Sequence, residues 1–397
     1  MSALPYTRAA LDPLEIVRFR DRQGVLSVYV DADPREQAAT RPAWVVAAEN
    51  GLDRIRARAK ADGDRERWTA VFRALESLEA ELAALLDPRQ PGRGRALFAT
   101  IDGGQVRRVA LQMPLVDRVV LDDVADVTPL LVAYDRGRPA GLVVVSHAAL
   151  RVLEAALGAV EELAVFEVEP ETSDWREMKG AAGANPGLAQ HAASQRERFE
   201  RRLDENRDRL IEGAAGELER LRTRRGWDRL VLAGDPRLTQ ALRDELHVEH
   251  VDVSAVDRTL NGLSAAEIAD ALGPALEQAN ARREAALVGR AKDAALSGNA
   301  GALGLADVLA ALEDGRVEHL LFDPSRPYPG ARTPDGRLVP EGIVPPGVDA
   351  AELEAEPALT GHLVERALAT DARVTPLSAA GVQSLAGHEG VAALLRW

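Results

Sequence analysis

Residues with chemical potential gather in one stretch. Two glutamines, Gln190 and Gln195, follow a run of small residues that begins at Lys179 (Lys179-Gly180-Ala181-Ala182-Gly183-Ala184-Asn185-Pro186-Gly187). Arg196, Arg198, Arg201 and Arg202 come directly after. A neutral amide held in place orients water through position and dipole rather than through titration. Guanidinium groups fix a phosphate backbone even on an acidic protein. The bland alternative is a solvated helix face, because Glu197, Glu200, Asp204 and Asp208 interleave with the arginines and can pair with them one turn away.

Other constellations are weaker. His247-Val248-Glu249-His250 has two imidazoles, but the spacing crosses a helix-to-strand change with no third ligand nearby, and no metal is expected. Asp31 and Asp33 could form a carboxylate pair, although Pro34 makes a strand-to-turn exit the simpler explanation. The literal Gly103-Gly104-Gln105 follows Asp102 at the end of an apolar run and is read as a hairpin turn. Zero cysteines exclude disulfides, thiolate zinc sites and cysteine nucleophiles. No P-loop, G-x-S-x-G, H-E-x-x-H or dinucleotide fingerprint occurs, so no cofactor is expected.

The elements that must carry the glutamine-arginine stretch are legible. Ser194 with Glu197 forms an S-x-x-E capping box, which puts a helix N-terminus at Ser194. Phe199, Leu203, Leu210, Ala214, Leu218 and Leu221 mark one apolar face, and Gly226 after Arg224-Arg225 ends it. The positive end of that helix suits a phosphate or an ester.

Along the chain, 397 residues with 46% hydrophobic and 28% charged residues describe a multidomain globular protein. No apolar run is long enough for a membrane span, and the first residues lack an apolar signal core, so a cytoplasmic protein is expected. A net charge of -14 argues against coating nucleic acid by bulk electrostatics, and no DNA partner is expected.

Strands are expected at 26–31, 96–101 and 106–111, and helices at 43–61 and 65–86. Leu131–Tyr134 and Ala140–Ser146 supply apolar runs of buried-strand type, followed by strands at 149–155 and 163–168. Next come a strand ending in a turn at 229–236, a helix at 237–246 and a strand at 248–253. A helix over 264–297, a helix at 305–312 and a strand at 317–322 follow. Residues 323–347 are dense in Pro and Gly and read as a long loop. A helix at 362–369, an edge strand at 372–377 and a last strand at 391–396 close the chain. The fold class is α/β: three mixed α/β domains at 1–127, 128–275 and 276–397, with a loop of catalytic type at 175–195 in the second.

This order of elements resembles the archaeal and eukaryotic class-1 release factor and Pelota superfamily, specifically its bacterial members. Gly141–Val145, Ala149–Leu153 and Val165–Val168, then the loop and Gln195–Arg202, are similar to its middle domain. Leu287–Arg290 and Gly304–Glu318 are similar to the start of the C-terminal domain, and Gly390–Trp397 to its closing strand. Ser27–Asp31 and Gly94–Thr100 are similar to the N-terminal domain of the bacterial branch.

The resemblance implies a ribosome-associated protein that enters the A site, contacts rRNA and peptidyl-tRNA, and partners an elongation-factor-like GTPase. It implies peptidyl-tRNA ester hydrolysis in termination or ribosome rescue, with Gln195 as the catalytic glutamine and Gln190 as second choice. Lys179, Arg196, Arg198, Arg201 and Arg202 become the RNA-binding set. The family's Gly-Gly-Gln stands here as Ala193-Ser194-Gln195, and alanine and serine do not share glycine's backbone freedom. That departure points to the alternative, a non-hydrolytic ribosome-binding factor of the Pelota type, acting in hibernation or stress.

Overall fold

The computed structural model describes residues 16, 18–36, 41–167, 211–247, 251–298 and 300–397. The chain is mixed α/β and divides into two compact units. One comprises residues up to 137 with 157–159 and 280–397; the other comprises 138–156 and 160–279.

The first unit opens with strand β1 (Arg20–Asp31), helices α1 (Ala43–Ala61), α2 (Arg65–Ser77) and α3 (Glu79–Leu86), then β2 (Gly94–Thr100), β3 (Val106–Leu111) and β4 (Arg118–Val124). The sheet order is β3-β2-β1-β4, antiparallel throughout. β1 alternates between two cores. Leu26, Val28 and Val30 pack against Trp44, Leu52 and Ile55 of α1. Val25 and Tyr29 face a core shared with Leu305, Val308 and Leu320. Burial on both faces is why β1 reads as an almost unbroken apolar run.

Three expectations for this region change. Residues 65–86 form two helices rather than one, broken at Leu78, whose φ and ψ are -89° and 2°. β4 goes unannounced because Arg118, Asp122 and Asp123 interrupt its apolar pattern. Leu131–Tyr134 lies not in a strand but in helix α4 (Thr128–Arg136), with Pro129 in its first turn and Gly137 at its end.

The second unit is a five-stranded mixed sheet. It contains β5 (Ala140–Val145), β6 (Ala149–Ala156), β7 (Ala159–Glu167), helix α5 over 211–225, β8 (Arg229–Gly234), α6 (Pro236–Glu245) and β9 (Asp252–Asp257). The order is β7-β6-β5-β8-β9, with β5, β8 and β9 parallel and β6 antiparallel to β5. Val143 and Val145 face α5 and α6, while Leu142 and Val144 face Ile268 and Leu272. The last strand was expected at 248–253; residues 248–250 lie outside the described residues, and the described strand starts at Asp252, which pairs with Arg229, and continues to Asp257.

Helix α7 (Ala265–Leu296) starts at a capping box. Ser264 Oγ donates to Glu267 Oε2 at 2.7 Å, and the Glu267 amide faces Ser264 Oγ at 3.4 Å. Beyond it lie β10 (Gly301–Leu303), α8 (Leu305–Glu313), β11 (Val317–Phe322), β12 (Gly330–Arg332), β13 (Leu338–Pro340), β14 (Glu354–Glu356), α9 (Thr360–Ala369), β15 (Arg373–Pro376), α10 (Ala379–Ser384) and β16 (Val391–Leu395). They form a sheet ordered β10-β16-β11-β15 and a small sheet ordered β13-β12-β14. The Pro/Gly-rich stretch therefore carries a β12–β13 hairpin rather than a plain loop; it turns at Gly336 with φ of 85°. No described helix is long and apolar enough to cross a membrane.

Candidate functional site

Lys179, Gln190, Gln195, Arg196, Arg198, Arg201 and Arg202 lie outside the described residues, as does the expected cap at Ser194. The elements that flank them are well defined. β7 delivers the chain at Glu167, and α5 takes it up again with Ile211, Ala214, Leu218 and Leu221 buried against the sheet. That part of the expected apolar face does point inward. Gly226 ends α5 with φ of 69°, and the Trp227 amide donates to the Arg222 carbonyl at 3.1 Å, a pattern only a left-handed residue closes easily.

Below this helix sits a buried polar anchor. Trp227 Nε1 donates to Glu154 Oε1 at 2.8 Å, and Arg225 Nη1 holds Glu154 Oε2 at 3.0 Å. The indole also lies so close to β5 that a Cβ on Gly141 would come within 2.6 Å of it. Arg229, 2% exposed, donates to the Arg138 carbonyl, and Arg138 pairs with Asp228. Arg151 grips Glu162 across β6 and β7 at 2.7 and 3.1 Å and donates to the Leu263 carbonyl at 2.8 Å. Of these charges Glu154 and Arg229 are buried, and both are hydrogen-bonded.

The first unit holds a second constellation, in a cleft of about 1380 Å³. Arg332 of β12 directs Nη2 at three partners: Asp123 Oδ2 at 3.1 Å, Glu356 Oε1 at 2.8 Å and His362 Nε2 at 3.1 Å. Donor atoms of Asp122, Asp123 and His362 lie within 4.8 Å of one another, close enough for a divalent ion to bridge. The chemistry argues otherwise. Arg332 already supplies the positive charge and occupies the imidazole lone pair.

Burial pushes His362 below its usual pKa, against the pull of Asp123. Burial, with the neighbouring Asp123, raises Asp122 to about 7. Asp123 is kept low by His362 and Arg332 despite its own burial. The cluster is an ion-pair clamp joining β4, β12, β14 and α9. Sequence reasoning missed it; the adjacent acids Asp122-Asp123 inside an apolar strand were its only local sign.

The remaining sequence candidates resolve simply. Arg93 takes Asp31 through two bonds at 2.9 and 3.2 Å and lies 3.6 Å from Asp33, so that pair anchors a turn. Gly103-Gly104-Gln105 is the β2–β3 turn, with Gly104 at φ of 65° and the Thr100 amide donating to the Gln105 carbonyl. His247 is exposed, with Nδ1 2.9 Å from the Glu245 carbonyl oxygen; residues 248–250 lie outside the described residues.

Comparison with known proteins bears on the second unit. The family model described as bacterial archaeo-eukaryotic release factor family 5 matches residues 139–272, the stretch from β5 into α7 that encloses 168–210. Over those residues the chain is similar to this bacterial release factor family. This release-factor-like chain is also 21% identical over 238 residues to the uncharacterized protein YocB of Bacillus subtilis (strain 168), covering 60% of the chain and 87% of YocB.

Among solved structures it is similar to the archaeal translation termination factor aRF1, at 19% identity over 96% of this chain and 95% of that one, with a TM-score of 0.25. It is similar to Archaeoglobus fulgidus Pelota at 14% identity over 76% and 79%, with a TM-score of 0.36. A ribosome-bound archaeal Pelota is similar at 15% identity over 77% of each chain, with a TM-score of 0.40.

Proposed function

We propose that this release-factor-like chain is a ribosome-associated translation factor that presents the loop 175–195 to peptidyl-tRNA in the A site. The observation behind the reading is the family match over 139–272, which encloses a stretch bearing Gln195 and four following arginines. In this reading Gln195 orients a water against the peptidyl-tRNA ester, with Gln190 as second choice. The amide acts through position and dipole, so the step needs no titrating side chain on the protein. Lys179, Arg196, Arg198, Arg201 and Arg202 hold rRNA or the tRNA acceptor end by phosphate contacts, which set register rather than sequence preference. An elongation-factor-like GTPase is the delivery partner that the reading implies.

A specific observation favours a second reading, occupancy of the ribosome without hydrolysis as in hibernation or stress. Ala193-Ser194 stands where the family has two glycines, and a Cβ at those positions restricts the backbone angles open to the loop. One assay separates the readings. The protein is mixed with ribosomes carrying peptidyl-tRNA, and pelleting and peptide release are scored together. Release that Gln195→Ala abolishes while pelleting persists is the outcome expected for hydrolysis. Pelleting without release selects occupancy. No co-sedimentation at either low or physiological salt rejects both.

A further inference from the structure

The segment between β13 and β14 is apolar at its tip and acidic around it. Ile343 and Val344 are 46% and 47% exposed, and Pro346 close by is exposed as well. A single exposed aliphatic side chain is ordinary; two in succession beside two prolines make a continuous apolar tip.

That tip is held in shape by its own turns. The Ile343 amide donates to the Pro340 carbonyl at 3.2 Å, and the Val348 amide donates to the Pro345 carbonyl at 3.3 Å. Each turn has glycine in its third place, Gly342 at φ of 78° and Gly347 at 84°. This is the type II pattern, and Pro346 presets the second place of the later turn. A Cβ on either glycine would meet nothing within 4 Å, so glycine is needed there for its backbone angle and not for packing. The Glu341 amide donates to the Pro329 carbonyl at 3.1 Å, which ties the loop back to the segment before β12. An apolar pair presented on preset turns loses little freedom when it docks.

Charge selects the partner. Residues 338–365 include no lysine or arginine. Glu341, Asp349, Glu352 and Glu354 are exposed, and among the described residues none of the four pairs with a cation. The two arginines that bound the stretch are engaged, Arg337 with Asp335 at 3.2 Å and Arg366 with Glu313. Unpaired carboxylates around the tip repel a nucleic-acid backbone. They also repel a second copy of a chain whose net charge is -14. They suit a protein with a shallow apolar pocket set among lysines and arginines, and proteins that hold RNA are rich in such cations. We infer that residues 341–354 dock a basic ribosomal protein, with Ile343 and Val344 in its pocket and the four carboxylates against its cationic rim. This docking rests on the ribosome-associated reading and uses none of residues 175–195.

The test places p-benzoylphenylalanine at Val344 of the full chain and irradiates it with purified ribosomes carrying peptidyl-tRNA, with pelleting scored in the same tube. The expected product is an adduct to a ribosomal protein, which protease removes and ribonuclease leaves. Ile343→Ser, or the neutral set E341Q/D349N/E352Q/E354Q, lowers its yield at least about fivefold, the size of effect usual for a contact that matters. The loss in the neutral set shrinks between about 50 and 200 mM salt, whereas the loss in Ile343→Ser persists. G342A/G347A keeps the apolar tip and its carboxylates but not the turns, and it also lowers the yield.

Pelleting with no adduct, or with an adduct that ribonuclease releases, overturns the inference. So does an adduct to a second copy of the chain that forms without ribosomes. Failure of the chain to pellet sinks the ribosome-associated reading and this docking with it, whereas pelleting without the protein adduct sinks the docking alone.

Discussion

Asp122 and Asp123 are neighbours on β4, and the structure sets them to opposite protonation behaviour. Asp123 faces Arg332 and His362, which hold it charged. Asp122 is raised from the usual 3.8 to about 7, chiefly by burial. The folded protein therefore keeps a proton on Asp122 that the unfolded chain releases near pH 4. Stability from that proton is complete below about pH 4 and is lost as pH rises through 7. Asp122→Asn cannot ionise, so its melting temperature should exceed the parent's at pH 8 by roughly 2–4 °C, a figure reduced for the partial exposure of the group. The two should melt together near pH 4, and equal melting temperatures at pH 8 would contradict this account.

At the scale of elements, α1 and β4 meet where the chain has room for nothing but glycine. A Cβ at Gly51 would lie 2.4 Å from Val119 Cγ2 and 2.7 Å from Val119 Cβ. Alanine gains about 1 kcal/mol of helix propensity over glycine, but crowding a β-branched side chain in a packed interface costs about 1–3 kcal/mol. Because Val119's own Cβ is involved, rotamer change offers little relief, and Gly51→Ala should lower stability in chemical denaturation. Val119→Ala in the same chain should recover part of the loss; full additivity of the two changes would show that the contact is not the cause.

How much of these elements could be read beforehand depends on how local their signals are. The limits of α1 follow from its own apolar period, and β1 is plain because both its faces are buried. α4 is marked by Pro129 and Gly137 yet was masked by the apolar run Leu130–Ala133, which suits a strand equally well. β4 was lost because Asp122-Asp123 breaks its pattern for the sake of Arg332, 209 residues away. No local pattern encodes a partner at that distance. The expectation for the glutamine-arginine stretch rests on signals that sit within a few residues of one another, whereas the clamp around His362 was not legible because its members come from four separate elements.

For the whole molecule, two compact units with separate cores predict unfolding that departs from one cooperative step. In scanning calorimetry the measured enthalpy should exceed the van't Hoff value, and a ratio of one would show that the units melt as a single body. The division has a further consequence for how the chain is made. The second unit is one nearly continuous stretch, complete once residue 279 has emerged. The first unit draws on both halves of the chain, and the core beneath Val25, Tyr29 and Phe98 is closed by Leu305, Val308, Leu320 and Phe322. At about 5–20 residues per second of synthesis, that face of the N-terminal sheet waits tens of seconds for the residues that cover it. The nascent chain thus exposes an apolar sheet face while its middle is already folded, and this is the interval in which a chaperone holding the N-terminal strands would raise the yield of active protein.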